Sequence, residues 1–225
     1  MKLVFASNNA HKLSEVRAMM PEGIEVLSLK DIGFEAEIEE TGETLEENSL
    51  IKAQTVWDWI VESRKSKVES IDGVFADDTG LEIDALNGEP GVYTARWYKR
   101  EPTLTLPKGK EMTDEMLNFH CNRAKALREL EGKENRGCQF RTVITLLMNG
   151  DATLNGGMIQ IEGVVRGRIA EEEYGEGGFG YDPVFIPEGY NKTFGELPAE
   201  LKNSISHRAR AIQELVKVLN DRMIE

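Results

Sequence analysis

The chain has 225 residues, a formal net charge of −13 at pH 7 and 40% hydrophobic residues. This length suits one large domain or two small lobes around a full core. The acidic balance argues against a nucleic-acid surface, which needs a basic footprint. It does not argue against a small polyphosphate, provided that local cations or metal ions hold it.

Targeting and redox signals are weak in this sequence. No apolar run reaches about 18 residues, and the N-terminus lacks a basic start followed by an apolar stretch. We therefore expect neither a membrane span nor a secretion signal. Cys121 and Cys138 match neither a metal-ligand spacing nor a disulfide framework, so we expect a reducing cytoplasm.

The first third of the chain alternates predicted strands and helices. The elements are a strand at 2–6, an amphipathic helix ending at Pro21, a strand at 24–29, a helix from Thr44 to about Ser63, and a strand at 74–76. The long helix opens with capping-box spacing from Thr44 to Glu47. This alternation predicts an α/β sheet with helices on its faces.

The remainder is predicted to be more mixed. We expect an exposed excursion at 98–112, a helix at about 113–131, antiparallel strands at 140–148 and 157–165 joined through Asn149-Gly150-Asp151, a short strand at 184–186, and a helix from about Asn203 to the end. There is no internal repeat and no low-complexity linker. We therefore treat residues 1–225 as a single domain.

A lysine stands in the first turn of the first predicted helix. Lys12 follows a strand and the small polar loop Ser7-Asn8-Asn9-Ala10-His11. A helix N-terminus already carries partial positive charge, so a cation is misplaced there unless an anion arrives. The segment is either a phosphate cradle or a well-capped helix with a solvated lysine. It lacks the glycines and the Lys-Ser/Thr ending of a P-loop.

Two acidic pairs could supply chemistry. Asp77-Asp78-Thr79-Gly80 follows a buried strand, and since successive strand side chains face opposite ways, at most one carboxylate points into a given pocket. Such a group could bind Mg²⁺ or activate water, or it could form an Asx-turn. Glu39-Glu40-Thr41-Gly42 lies before the long helix, where acids are ordinary dipole partners.

Other polar residues extend this inventory. Thr44, Asn48 and Lys52 recur every four residues, forming either a solvated stripe or a row of donors for phosphate oxygens. The loop from Gly177 to Pro183 carries two aromatic residues and a carboxylate that could stack on and bond a flat base, or plug a core. The residues concerned in that loop are Phe179, Gly180, Tyr181 and Asp182.

A third group of cations lies near the last predicted helix. Lys202, His207 and Arg208 cluster around its start, and Arg208 could donate two parallel bonds to a planar acceptor such as a purine carbonyl. Combined with the acids and the earlier lysines, this is the set of groups that a metal–nucleotide site needs.

At these residues the chain resembles the inosine triphosphate pyrophosphatases, a family that hydrolyses non-standard purine nucleoside triphosphates. The patches that carry the likeness are Ser7 to Lys12, Ala76 to Leu81, Gly178 to Pro183, and Ser206-His207-Arg208. Their order matches the family, as do Glu39 to Gly42 and Glu47-Asn48. The likeness spans nearly the whole chain.

The resemblance implies roles for the matching positions. Ser7, Asn8, Asn9, Ala10, His11 and Lys12 would hold the triphosphate, aided by Lys52. Glu39 and Asp78 would bind Mg²⁺, with Asp78 as the proton acceptor for the attacking water, and Thr79 would touch substrate. Phe179, Gly180, Tyr181 and Asp182 would bind the purine, and Lys202, His207 and Arg208 would complete base recognition.

The resemblance also implies an elongated α/β structure, a mixed sheet with flanking helices in two lobes around a central substrate cleft, usually as a homodimer. Residues 98–112 form a longer stretch than the family's. A non-catalytic nucleotide-binding regulator is a second hypothesis, although two acidic groups beside phosphates would repel its ligand without metal. A pyrophosphatase of modified pyrimidine nucleotides is a third, and the patches at 179–182 and 207–208 favour the purine version.

Overall fold

The computed structural model describes residues 1–63, 70–100, 113–148, 157–175 and 179–224. The strands are β1 (Lys2–Phe5), β2 (Glu25–Leu27), β3 (Gly73–Ile83), β4 (Pro90–Gly91), β5 (Gly137–Met148), β6 (Met158–Ile169) and β7 (Phe185–Pro187). The helices are α1 (Ala10–Met19), α2 (Leu29–Ile32), α3 (Leu45–Ser63), α4 (Asp114–Glu129), α5 (Ala199–Ile205) and α6 (His207–Ile224). Most of the predicted excursion, the Asn149-Gly150-Asp151 connection, and Gly177 and Gly178 lie outside the described residues.

The described strands form one seven-stranded sheet in the order β2-β1-β3-β5-β6-β7, with β4 paired to β3 off this path. β1 runs parallel to β2 and β3, whereas β4 is antiparallel to β3 and β7 to β6. The predicted α/β fold with a mixed sheet and flanking helices is therefore confirmed. Among the described residues, no helix combines the length and the apolar content needed to cross a bilayer.

The predicted end of the third strand was wrong. β3 does not stop at Ala76 but continues through both aspartates to Ile83. Leu81 and Ile83 are fully buried, so the later half of the strand has its own apolar core to fill. Asp77 and Asp78 consequently lie within a strand, and the Asx-turn interpretation is excluded.

The predicted helix near the C-terminus is two helices. α5 ends at Ile205, and Ser206 takes an extended conformation (φ −65°, ψ 157°) while its N–H still donates to the carbonyl of Lys202. α6 then begins at His207. This break makes His207 and Arg208 the first two residues of a new helix. The second predicted strand was also too long, because Ser28 caps the short helix α2 in a capping box with Asp31.

The chain divides into two compact units, each with its own core. Unit 1 comprises Met1–Asp78, Thr142–Gly163 and Arg208–Glu225. Successive side chains of β3 face opposite sides of the sheet, so its apolar residues belong to two clusters. Phe75 packs with residues of α1 and α6, whereas Val74 and Ala76 pack with residues of α3. The face that each aspartate takes follows from this alternation.

Unit 2 comprises Thr79–Arg141 and Val164–His207. Its core packs the second half of β3 with residues of α4, β5 and β6 and with aromatic side chains. Trp97, Phe185 and Phe194 are among its largest buried members. Cys121 and Cys138 are free and buried in this unit.

Candidate active site

The loop before α1 is organised by its own side chains. Asn9 caps the helix by accepting from the N–H of Lys12 at 3.0 Å, and Ser7 Oγ accepts from the N–H of Asn9 at 3.2 Å. The first turn of α1 contains no acidic residue. Asn8, Ala10 and His11 are exposed. The helix is capped as predicted, but Lys12 is not solvated, because its side chain is mostly buried and pairs with Asp77. The loop also leaves exposed groups at a helix N-terminus.

Asp77 supplies the carboxylate that pairs with Lys12, the lysine in the first turn of α1. Its carboxylate, 2% exposed, accepts from Lys12 Nζ at 2.9 Å and from Arg208 Nε at 3.4 Å. Arg208 also donates to Glu15 on α1. Burial alone would raise the pKa of Asp77, but the charges of Lys12, Arg208 and Lys52 outweigh it and hold that pKa well below its usual range. Asp77 is therefore ionised and paired.

Asp78 lies on the opposite face and meets a different lysine. Lys52 Nζ, on α3, donates to Asp78 Oδ1 and to Glu40 Oε1, each at 2.9 Å. Burial raises the pKa of Asp78, and the neighbouring Glu40 adds to that rise, although Lys52 and Lys12 oppose it. Burial acts to lower the pKa of Lys52, but Asp78, Glu40 and Asp77 together raise it. Lys52 is a cation bridging two carboxylates.

The second carboxylate that Lys52 contacts, besides that of Asp78, belongs to Glu40 and not to Glu39. Glu39, which the resemblance nominated as a metal ligand, is exposed, whereas Glu40 is half-buried against Lys52. The predicted polar stripe on α3 is also partly internal. Thr44 and Glu47 form the predicted capping box, and Asn48 is fully buried. Lys12, Lys52, Arg208, Glu15, Glu40, Asp77 and Asp78, all in unit 1, form what we call the ionic cluster.

In unit 2, Asp182 is held by the backbone and by a lysine. Its Oδ2 accepts from the N–H of Phe179 and from Lys202 Nζ, each at 2.5 Å. Asp182 is 5% exposed and Lys202 is mostly buried. Gly180 has a φ of +61°, a conformation that glycine adopts without strain. The carboxylate therefore fixes the turn in which it lies.

Helix α4 supports the same turn. The rings of Phe119 and Phe179 meet edge to face with centroids 4.4 Å apart, and Arg123 Nη1 donates to the carbonyl of Gly180 at 2.9 Å. Arg123 also pairs with Glu173 at 3.0 Å. We call Phe119, Arg123, Phe179, Gly180, Asp182 and Lys202 the loop cluster.

The other predicted base-site residues have different surroundings. Tyr181 is 3% exposed, lies in the apolar core of unit 2 and donates its hydroxyl to the carbonyl of Thr94. Its ring therefore packs the core instead of presenting a stacking face. His207 is partly exposed, and its ring stacks on that of Phe140 with centroids 4.9 Å apart. Thr79, which was predicted to touch substrate but not the base in particular, is partly exposed and follows Asp78 on β3.

Five residues of the two clusters were not predicted as site residues from the sequence, and Glu40 is one of them. Glu15, Phe119 and Arg123 lie on helices where charged and aromatic residues are commonplace, so no local signal marks them. Asp77 was not assigned a role, because the alternation of strand side chains allows at most one of the two carboxylates into a given pocket. The structure instead gives each aspartate its own lysine.

Comparisons with known proteins agree on one family. The model of the Ham1 family matches residues 3–218. A dITP/XTP pyrophosphatase of Flavobacterium johnsoniae is 44% identical over 219 residues, covering 97% of this chain and 98% of that protein. One of Bacillus subtilis is 41% identical over 219 residues, covering 96% of each. The solved structure of the Staphylococcus aureus Ham1 protein is similar with a TM-score of 0.75 and 33% identity, covering 99% of this chain and 100% of that one.

Proposed function

The chain belongs to the Ham1 family, and we propose that it hydrolyses non-standard purine nucleoside triphosphates (ITP, dITP and XTP) to the nucleoside monophosphate and pyrophosphate. The names of its relatives support the reaction class. The single observation that carries the proposal is the buried Asp78, bridged to Glu40 by Lys52 and adjacent on β3 to the Asp77–Lys12 pair. The arrangement supports the proposal, because a carboxylate suited to accept a proton lies beside ammonium groups suited to bind phosphate.

The triphosphate is assigned to unit 1. Ser7 to Lys12 contribute the N-terminus of α1, where backbone N–H groups and the helix dipole favour an anion. Lys12 and Lys52 contribute ammonium groups that are now paired with carboxylates. A phosphate oxygen would compete with Asp77 and Asp78 for these donors, so binding redistributes ion pairs that already exist.

We propose that Asp78 and Glu40 hold Mg²⁺. Their oxygens lie at equal distance from one ammonium, so two hard oxygen donors already converge on a cationic position. In the described part of the chain, no group of three or more His, Cys, Asp or Glu side chains could hold a metal. Mg²⁺ is commonly bound through one or two carboxylates together with substrate phosphates. When bound, the ion offsets phosphate charge.

The chemical step is assigned to Asp78. Burial raises the pKa of its carboxyl group, which makes the ionised form a stronger proton acceptor than an exposed aspartate. Asp78 would take the proton of the attacking water from its fixed position on β3. Pyrophosphate leaves as the bond between the α- and β-phosphates breaks.

Base selection is assigned to the loop cluster with His207. Hypoxanthine and xanthine share an oxygen at position six and a protonated N1, whereas adenine presents an amino group and an unprotonated N1. Lys202 is fixed by Asp182 and carries N–H groups that suit an oxygen acceptor. A base that offers a donor instead leaves buried polar groups unpaired, which costs about 1–3 kcal/mol for each group. Phe179 supplies an aromatic ring for stacking.

We further propose a homodimer in the reducing cytoplasm, because the resemblance implies a dimer and the substrates belong to the nucleotide pool. The two free, buried cysteines agree with a reducing compartment. Light scattering coupled to gel filtration tests the dimer, and a single peak at the mass of one chain would contradict it.

Product analysis tests the function. Purified protein is incubated with Mg²⁺ and ITP, dITP, XTP, GTP or ATP, and monophosphate, diphosphate and pyrophosphate are separated. We expect monophosphate plus pyrophosphate from the first three nucleotides, ATP and GTP nearly untouched, and no reaction after EDTA until Mg²⁺ is restored. Diphosphate plus phosphate would move the cleaved bond and contradict the proposal. Tight ITP binding without turnover would contradict it as well.

A further inference from the structure

Asn48 is a buried polar residue in α3 that the proposed reaction leaves without a role. Its side chain is fully buried, and it lies one helical turn before Lys52, on the same face of the helix. Lys52 is the residue that bridges Glu40 and Asp78. Asn48 therefore lies beneath the loop that carries Glu40.

The acidic loop is attached to α3 through Asn48. The N–H of Gly42 donates to Asn48 Oδ1 at 2.8 Å. The contact is close, because a Cβ added at Gly42 would lie 2.6 Å from the Cβ of Glu47 and 2.8 Å from Asn48 Oδ1. The backbone of the loop, two residues after Glu40, thus presses directly on the first turn of the helix. Glu47 adds exposed bonds to the N–H groups that follow.

The rest of the Asn48 amide is unsatisfied. Its Nδ2 is buried, and no described residue accepts a hydrogen bond from it. Since the N–H of Gly42 can only donate, the oxygen of the amide must face the loop, and the nitrogen must face the interior. A buried unpaired donor is unfavourable for stability. The presence of asparagine at this position is therefore better explained by the hydrogen bond that its oxygen accepts from the loop than by a contribution to stability.

We propose that Asn48 is a positioning residue that fixes Glu40 beside Lys52 and Asp78, and that it thereby sets the affinity of the site for its divalent cation. The inference rests on the proposed function, in which Glu40 and Asp78 hold Mg²⁺. Replacing a side chain that orients a metal ligand without itself binding the metal typically changes metal affinity or activity by about 10–100-fold.

The test compares Asn48→Ala with Ser49→Ala. Ser49 is the next residue, is also fully buried, and exchanges a 2.7 Å hydrogen bond with Thr145 on β5, away from the acidic loop. Two quantities are measured: the Mg²⁺ concentration for half-maximal ITP hydrolysis, and Mn²⁺ binding to the nucleotide-free protein by electron paramagnetic resonance. We expect Asn48→Ala to raise the half-maximal Mg²⁺ concentration and the Mn²⁺ dissociation constant by about tenfold. Ser49→Ala should lower only the thermal midpoint.

Two further variants keep the test decisive. Gly42→Ala pushes the loop away from Asn48 without altering the core, so it should reproduce the Asn48→Ala effect even if the latter protein folds poorly. In a Glu40→Gln background, Asn48→Ala should add nothing to Mn²⁺ binding, because its effect passes through Glu40. Equal effects of Asn48→Ala and Ser49→Ala, or full additivity with Glu40→Gln, would overturn the inference. A wild type that binds Mn²⁺ but hydrolyses no nucleotide would instead refute the proposed function, while the Mn²⁺ series still decides the role of Asn48.

Discussion

The ionic cluster of unit 1 and the loop cluster of unit 2 stabilise their buried carboxylates in different ways. In the ionic cluster, Asp77 and Asp78 are balanced by the side chains of Lys12, Lys52 and Arg208. In the loop cluster, Asp182 is balanced by one lysine and a backbone N–H of its own turn. We expect the first arrangement to exchange partners when an anion binds, whereas the second fixes the shape of a loop.

This difference predicts a separate role for each cluster in substrate binding. Side-chain cations suit phosphates, whose charge is large and whose oxygens are alike. A turn locked by its own carboxylate suits a flat base, which is distinguished by the positions of a few donors and acceptors. Substitutions in unit 1 should therefore change catalysis and stability, and substitutions in unit 2 should change which base is accepted.

The largest effect is expected at Asp78. Asp78→Asn removes the proton acceptor but retains the size of the side chain, so we expect kcat for ITP to fall by about 10²–10⁴-fold. ITP binding, measured calorimetrically with Mg²⁺, should largely persist. The matched change in the loop cluster, Asp182→Asn, should act mainly on KM. Full activity of Asp78→Asn would disprove its assignment as the base.

Asp77 should matter mainly for stability. Asp77→Asn leaves Lys12 and Arg208 without their buried counter-charge, and breaking a buried ion pair in this way costs about 3–5 kcal/mol in the free energy of unfolding. Urea unfolding at pH 7 measures it. Lys217→Met, which removes an exposed pair with Glu214, serves as the control and should have little effect.

The Asp77 effect should depend on pH with a definite sign. The folded state lowers the pKa of Asp77 below its ordinary value of 3.8, so the carboxylate contributes stability above that value and loses it as the pH falls toward the folded-state pKa. The stability difference between wild type and Asp77→Asn should therefore be constant from neutral pH down to that ordinary value and shrink below it. A difference that grows with acidification would contradict the assigned ion pair.

A smaller effect is expected from the aromatic face of the loop cluster. Phe179→Ala should weaken ITP binding by about 1–3 kcal/mol, the usual contribution of one base stacked on an aromatic ring. Tyr181→Phe is the control, since that ring lies in the core and loses only its bond to Thr94. It should leave KM unchanged. Equal KM increases in both variants would show that the loop acts only through its fold.

The parts of the fold that sequence predicted are those governed by neighbours in the chain. Helices α1 and α3 followed from apolar spacing and from the capping box of Thr44 and Glu47, whose partners lie three residues apart. The continuation of β3 did not follow, because Asp77 and Asp78 are satisfied by lysines 65 and 26 residues away. Two adjacent aspartates resemble a turn when their distant partners are unknown.

Within the candidate site, sequence predicted residue types better than orientations. A glycine loop with two aromatic residues cannot reveal which ring faces the core, and Tyr181 rather than Phe179 proved to be the buried one. Two consecutive glutamates likewise give no indication that Glu40 faces Lys52 while Glu39 is exposed. Both distinctions depend on backbone conformation in loops, where no regular period applies.

The selectivity ratio, kcat/KM for ITP divided by that for ATP, tests the division of labour most directly. It should be measured for wild type, Lys12→Met and Lys202→Met. We predict that Lys12→Met lowers kcat/KM for both nucleotides and leaves the ratio unchanged, whereas Lys202→Met reduces the ratio sharply. A change of the ratio in Lys12→Met as large as that in Lys202→Met would contradict separate roles for the two clusters.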